Sequence, residues 1–252
     1  MKANRIKIIL IILFLVSCTV TFLFSSYFDL ENVVIEKDDM CKINILEKYN
    51  IEIGENLNLL MLSEGNILSG HLVKVEEEIL NDVNIRDISI KRSGKNDLLI
   101  NCLSRVPIMC IQQSDYMIYF DYDGTLIDTS SVKNEKSIMI KGVNLDFFYF
   151  GQNILTCNYM LKDISVLCKE IEKYDLANYT AIRALIDEIE ILDNNRAVIR
   201  YDNRLEILMD MTKDVKYNAN VMCSILTNID QNDKGYIDFT ISSTPFFNPA
   251  SD

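Results

Sequence analysis

Apolar positions recur along this chain in three rhythms, and each predicts a different kind of element. The first is unbroken: Ile8 to Phe24 reads IILIILFLVSCTVTFLF without a charge, behind a head carrying Lys2, Arg5 and Lys7. With Ser25 to Phe28 the run reaches about 20 residues, enough to cross a ~30 Å hydrocarbon core at 1.5 Å per residue, so 8–28 is predicted to be a transmembrane helix. The second rhythm is helical. Leu68, Leu72, Val75 and Ile79 share one face of a predicted helix over 65–82, with Lys74, Glu76, Glu77 and Glu78 turned to water. Asp39 is placed to cap an earlier helix carrying Ile43 and Leu46. Leu161, Ile164, Leu167, Cys168 and Ile171 predict a helix over 158–174, and Val215, Ala219, Met222, Leu226 and Ile229 another near the C-terminus. The third rhythm is that of strands, rich in β-branched and aromatic residues between short polar breaks.

Strands are predicted at 28–35, 83–91 and 97–103, the last two joined as a hairpin through Arg92 to Asn96. With the two helices between them this is a β-α-α-β-β unit. Further on come 116–120 and 126–129, then 137–143, and the aromatic run Phe147 to Phe150 is predicted to be core. Strands at 184–192, 197–201 and 205–211 follow, joined by turns at Asp193-Asn194-Asn195 and Asp202-Asn203. Connections this short join only antiparallel neighbours. In the third of these, Leu205, Ile207, Met209 and Met211 alternate with Glu206 and Asp210, giving one buried and one wet face. A final strand, Tyr236 to Ile241, ends at Pro245. Coming last and stopped by proline, it is predicted to lie at a sheet edge, with Tyr236, Asp238 and Thr240 on the open face and Ile237, Phe239 and Ile241 on the core face.

The predicted fold class is α+β: one N-terminal transmembrane helix, a β-α-α-β-β domain, then a mixed, largely antiparallel β domain with flanking helices. The boundaries are 1–7 for a cytoplasmic tail, 8–28 for the span, 29–107 and 108–245 for the two domains, and 246–252 for a C-terminal tail. The basic head stays inside by the positive-inside rule, so the domains face out of the cytoplasm.

Composition narrows the function. A chain of 252 residues with 49% hydrophobic content can bury a substantial core, and a net charge of -12 without a basic stripe argues against a nucleic-acid partner. Seven cysteines, Cys18, Cys41, Cys102, Cys110, Cys157, Cys168 and Cys223, follow no metal spacing, and the one histidine, His71, reads as a half-buried helix residue rather than a ligand. Buried free thiols are the preferred reading of the cysteines, with disulfides allowed if the domains lie outside the cytoplasm. No catalytic constellation, cofactor or metal is predicted.

Two motifs keep alternatives open. Phe120-Asp121-Tyr122-Asp123-Gly124-Thr125-Leu126 matches the nucleophile strand of haloacid-dehalogenase-type phosphatases, where the first Asp attacks phosphorus and the second moves a proton beside bound magnesium. It also reads as a hairpin turn on Asp123-Gly124. The downstream pattern is too antiparallel for the phosphatase fold and carries no G-D-x-x-x-D element, so the turn is preferred and an exported phosphatase using Asp121 and Asp123 is the alternative. Leu15-Val16-Ser17-Cys18 resembles a lipoprotein box, but the apolar run continues through Phe24, which suits an uncleaved span better than a lipidated Cys18.

Taken together, the basic tail and single span, Phe28 to Ile35, Ile51-x-Ile-Gly54-x-Asn56-Leu57, Val83 to Lys91, Ser104-Arg105-Val106-Pro107, Asp121-x-Asp123-Gly124 and Gly235-Tyr236-Ile237-Asp238 resemble the bacterial FtsQ/DivIB family in order and spacing. Ser104 stands where the family usually has Glu, and Tyr217 to Leu226 replaces a lysine- and leucine-rich helix. The resemblance implies a POTRA domain at 29–107 followed by a β domain. It also implies a non-enzymatic divisome scaffold at the cell membrane that binds FtsL and FtsB (DivIC) partners outside the membrane and supports septal peptidoglycan synthesis. The partner-binding residues it points to are Tyr236, Asp238 and Thr240 on the last strand, with Met222 and Leu226 on the helix before it.

Overall fold

The computed structural model describes residues 2–38, 44–66, 68–192, 195–241 and 245–250. The chain divides into two compact units, Met1–Arg105 and Val106–Asp252.

The first unit opens with helix α1 (Lys2–Leu23), within which Ile6–Leu23 is long and apolar enough to cross a membrane and is 0% buried. It continues through β1 (Asn32–Lys37), α2 (Ile45–Lys48), α3 (Leu57–Glu64), α4 (Val73–Ile79), β2 (Ile85–Arg92) and β3 (Asp97–Ser104). The sheet order is β1-β3-β2, with β1 parallel and β2 antiparallel to the central strand. Ile88 faces Cys102 and Ile90 faces Ile100, which fixes the hairpin register. One face of β3 (Leu98, Ile100, Cys102) is fully buried against Leu57, Met61, Leu72, Val75 and Ile79 of the helical layer.

The helix predicted over 65–82 is confined to α4 (Val73–Ile79), and a helix that was not predicted, α3 (Leu57–Glu64), precedes it across a turn. The start of α3 is set by Asn56, whose side chain accepts from the amides of Asn58 and Leu59 and so satisfies two of the helix's orphan donors. Asn66 does the opposite, drawing the amides of Leu68 and Ser69 onto its carboxamide and stopping the helix. Leu68, assigned to the buried face, is 98% exposed. The proposed cap at Asp39, and Ile43 after it, lie outside the described residues, as does the Asp193-Asn194 turn.

The second unit holds β4 (Met109–Gln113), β5 (Tyr116–Phe120), β6 (Leu126–Ser130), β7 (Ile138–Lys141), α5 (Tyr159–Asn178), β8 (Ile186–Ile191), β9 (Arg196–Tyr201), β10 (Leu205–Asp210), α6 (Val215–Asn228), β11 (Gly235–Asp238) and β12 (Phe246–Pro249). They form one sheet in the order β12-β11-β10-β9-β8-β7-β4-β5-β6. The pairs β4/β7, β7/β8 and β10/β11 are parallel and the other five antiparallel. Each parallel pair is joined through a long excursion, as parallel geometry requires, and α5 and α6 fill two of them. On α5, Leu161, Ile164, Leu167, Cys168 and Ile171 are buried, and on α6 Val215, Ala219, Met222, Cys223 and Leu226 are buried, all in one core with the inner faces of the strands. The alternation read in β10 holds: Leu205, Ile207 and Met209 are buried.

Three expectations fail in this unit. Phe147, Tyr149 and Phe150 are 87%, 69% and 56% exposed rather than core, because the segment after β7 runs outside the sheet once Val143 and Leu145 have turned inward, Leu145 tied to Gln113. Residues 246–249, read as part of a tail, pair with β11 as a strand. In consequence the strand expected at the edge, β11, is covered on both sides.

Candidate partner-binding edge

The last three strands follow from local chemistry. Asp214 caps α6 by accepting from the Tyr217 amide, and Lys213 beside it donates to the carbonyls of Phe239 and Thr240, fastening the end of β11 to the start of the helix. Gly235 enters β11 with φ +154, and a Cβ there would lie 2.1 Å from the Asn248 carbonyl oxygen, so this position admits the close approach of β12 only as glycine. The Gly235-Tyr236 pair was noted in the sequence as part of a motif; that the glycine seats a further strand was not visible there.

Ala250 donates to the Lys234 carbonyl, and the antiparallel alternation counted from that bond turns residues 246 and 248 toward β11. The amide and carbonyl of Phe247, and the carbonyl of Pro249, therefore point away from the sheet. Among the described residues, β12 is an open edge of the sheet. At the other end of the sheet, the Leu126 amide and carbonyl of β6 are taken by Gln152 and Gly151.

The five residues predicted to bind a partner fall in different environments. Tyr236 is 49% exposed, between Glu206 of β10 and Asn248 of β12. Asp238 is buried at 6%, its carboxylate folded back to accept from the Thr240 amide and hydroxyl, both at 2.7 Å. Thr240 is half-buried, and its amide serves Asp238 rather than a neighbouring strand. Met222 and Leu226 lie in the core at 0% and 5%. Thus Tyr236 alone of the five presents a well-exposed side chain, and Asp238, Met222 and Leu226 are not accessible; the helical spacing that selected Met222 and Leu226 selects the packed face. Sequence reading missed Phe246, which is 43% exposed on the same sheet face as Tyr236, and Asn248, whose buried Nδ2 meets no acceptor among the described residues. A buried donor without a partner is costly, and this one sits on the open edge.

The hairpin at Asp121 takes the turn arrangement. Oδ1 of Asp121 accepts from the amides of Asp123 and Thr125, both at 2.9 Å, Gly124 has φ +77, and Asp123 pairs with Lys169 at 2.9 Å. β5, which leads into it, is antiparallel to both its neighbours, unlike the nucleophile strand of a phosphatase. His71 bonds Glu76 at 2.9 Å. Cys102, Cys110, Cys168 and Cys223 are buried, and burial pushes the thiols of Cys168 and Cys223 up to about 12.

No family model matches the chain. Over 192 residues it is 24% identical to the cell division protein DivIB of Clostridium tetani (strain Massachusetts / E88), covering 73% of this chain and 68% of that protein. This likeness supports the FtsQ/DivIB family that the sequence pattern resembles. The major extracytoplasmic domain of the trans isomer of DivIB from Geobacillus stearothermophilus is matched over 50% of this chain and 98% of that one, at 10% identity and a TM-score of 0.30. The likeness and the one apolar helix among the described residues, Ile6–Leu23, together support a single-pass membrane protein.

Proposed function

We propose that this cell division protein is a non-enzymatic scaffold of the divisome, with Lys2, Arg5 and Lys7 in the cytoplasm and both folded units outside, at the septum. It binds the extracytoplasmic parts of FtsL- and FtsB/DivIC-like single-span proteins and so supports septal peptidoglycan synthesis. The observation that carries this reading is the open strand β12. An extended segment of a partner adds to it as a further strand, taking the Phe247 amide and the Phe247 and Pro249 carbonyls. Phe246 and Tyr236 give that segment two aromatic contacts on one sheet face, and the Asn248 amide gains an acceptor.

The partner site is therefore moved by one strand relative to the sequence reading, keeping Tyr236 and replacing Asp238, Thr240, Met222 and Leu226 by the β12 edge. The test is a pull-down of the tethered full-length protein from dividing cells, comparing wild type with Tyr236→Ala combined with Phe246→Lys. A lysine at an exposed edge position opposes strand addition, and the aromatic truncation removes contact area. The double variant is expected to lose the FtsB/DivIC-like partner at unchanged abundance. Full recovery of the partner by the folded variant sinks the edge assignment.

A further inference from the structure

The outer end of α1 is built into the first unit. The last carbonyls of a helix lack intrahelical donors, and at a bilayer boundary such groups are expensive to leave unpaired. Here Asn58 donates its side-chain amide to the Leu23 carbonyl at 2.6 Å, and Asn56 donates to Ser25 at 2.8 Å. Asn58 is held in turn by Arg92, which donates to its Oδ1 at 2.7 Å and stacks over the Phe28 ring at 5.5 Å. Phe22, Tyr27 and Phe28 form a ring cluster with centroids 5.1–5.6 Å apart, and Lys95 places its Nζ 3.5 Å from the Tyr27 centroid. Aromatic rings and cations at a span's end are the usual occupants of the headgroup layer.

This joint fixes which surface meets the bilayer. On α3, Leu57 and Met61 are buried, whereas Leu59 and Leu62 are 52% and 57% exposed. At 3.6 residues per turn they lie about 140–200° round the helix from Leu57, on the side flanking Asn58. Leu59 adjoins the residue bonded to the end of α1, and Leu62 is about 4.5 Å further along the axis at 1.5 Å per residue. The headgroup layer is about 5–8 Å deep on each side, comparable with that separation.

We propose that α3 rests on the outer leaflet, Leu59 and Leu62 entering the headgroup–acyl boundary with Tyr27 and Lys95 among the headgroups, so that the first unit is seated on the lipid surface rather than swinging on a linker. This rests on the reading of α1 as the membrane span. The occupant is lipid because the exposed pair continues the surface that α1 already presents to the bilayer.

The chain contains no Trp, so a single introduced one reports its own surroundings. Full-length protein carrying Leu59→Trp, Leu62→Trp, Val16→Trp or Leu103→Trp is reconstituted into phosphatidylcholine–phosphatidylglycerol vesicles with plain or brominated acyl chains. Val16 is mid-span, and Leu103 is 50% exposed near the other end of β3, roughly 20 Å along the strand from the Lys95 turn at 3.3 Å per residue. Residues 59 and 62 are expected to give blue-shifted emission that loses most of its intensity in brominated vesicles, and residue 103 water-like, unquenched emission. Quenching at residue 16 with water-like emission at 59 and 62 overturns the seating while leaving the span intact. Absence of quenching at residue 16 overturns both. Blue-shifted but unquenched emission at 59 and 62 also overturns the proposal, since it reports protein contact rather than lipid.

Discussion

Replacing Gly124 with alanine, and separately Asp121 with asparagine, asks whether Asp121 to Thr125 is a turn or a catalytic strand. Gly124 has φ +77, which costs an L-residue about 1–2 kcal/mol. The new Cβ would stand 2.2 Å from Cγ of Leu155, and 2.9 and 3.0 Å from its two methyl carbons. Leu155 packs against the core of the second unit, so relieving that overlap costs about 1–3 kcal/mol more. The sum is about 2–5 kcal/mol. Asp121→Asn keeps an oxygen that can accept from both the Asp123 and Thr125 amides, exchanging charge-assisted bonds for neutral ones at a cost of about 1 kcal/mol. The assay is denaturant unfolding of the full-length protein in detergent, followed by the fluorescence of its 12 tyrosines, alongside rescue of division in cells lacking the protein. Gly124→Ala is expected to unfold at clearly lower denaturant, and Asp121→Asn to remain near wild type and to support division. The turn reading is wrong if Asp121→Asn is the more destabilising change, or if it abolishes division at normal abundance.

Three further outcomes check the anchoring and the buried thiols. An enzyme active only outside the cytoplasm, fused to the C-terminus, is expected to be active, because moving three cations across the bilayer is costly; a stable but silent fusion reverses the topology. In the folded protein a thiol reagent is expected to modify the exposed Cys157 well before Cys102, Cys110, Cys168 and Cys223. Burial raises Cys110 from the usual 9.0 to about 11 and Cys168 and Cys223 to about 12. Their protonated state therefore contributes stability that is fully present below about pH 9 and lost as pH rises through about 11–12. Denaturation midpoints measured upward from pH 8 are expected to fall over that range, and less so in Cys168→Ala.

The order of elements was legible in the sequence because local patterns set it. The charge-free run gives α1, the period of 3.6 gives α5 and α6, and the alternation of Leu205, Ile207 and Met209 gives β10 with its buried face. Asp121 and Gly124 were readable as a turn for the same reason, since hydrogen bonds within five residues hold it. Where the signal was local but subtle, as with Asn56 starting α3 and Asn66 holding the turn before α4, the apolar spacing that included Leu68 outvoted the caps and set the helix at 65–82. Strand neighbours are another matter. Whether Tyr236 to Asp238 ends the sheet depends on residues 246–249 returning to pair with it, which four residues containing two phenylalanines and a proline do not announce. The exposure of Phe147 to Phe150 and the burial of Asp238 likewise follow from what lies across the fold, not from composition. An edge is a property of the whole sheet: the backbone groups that would receive a partner strand are the same in every residue, and only tertiary pairing decides which of them are left unmatched.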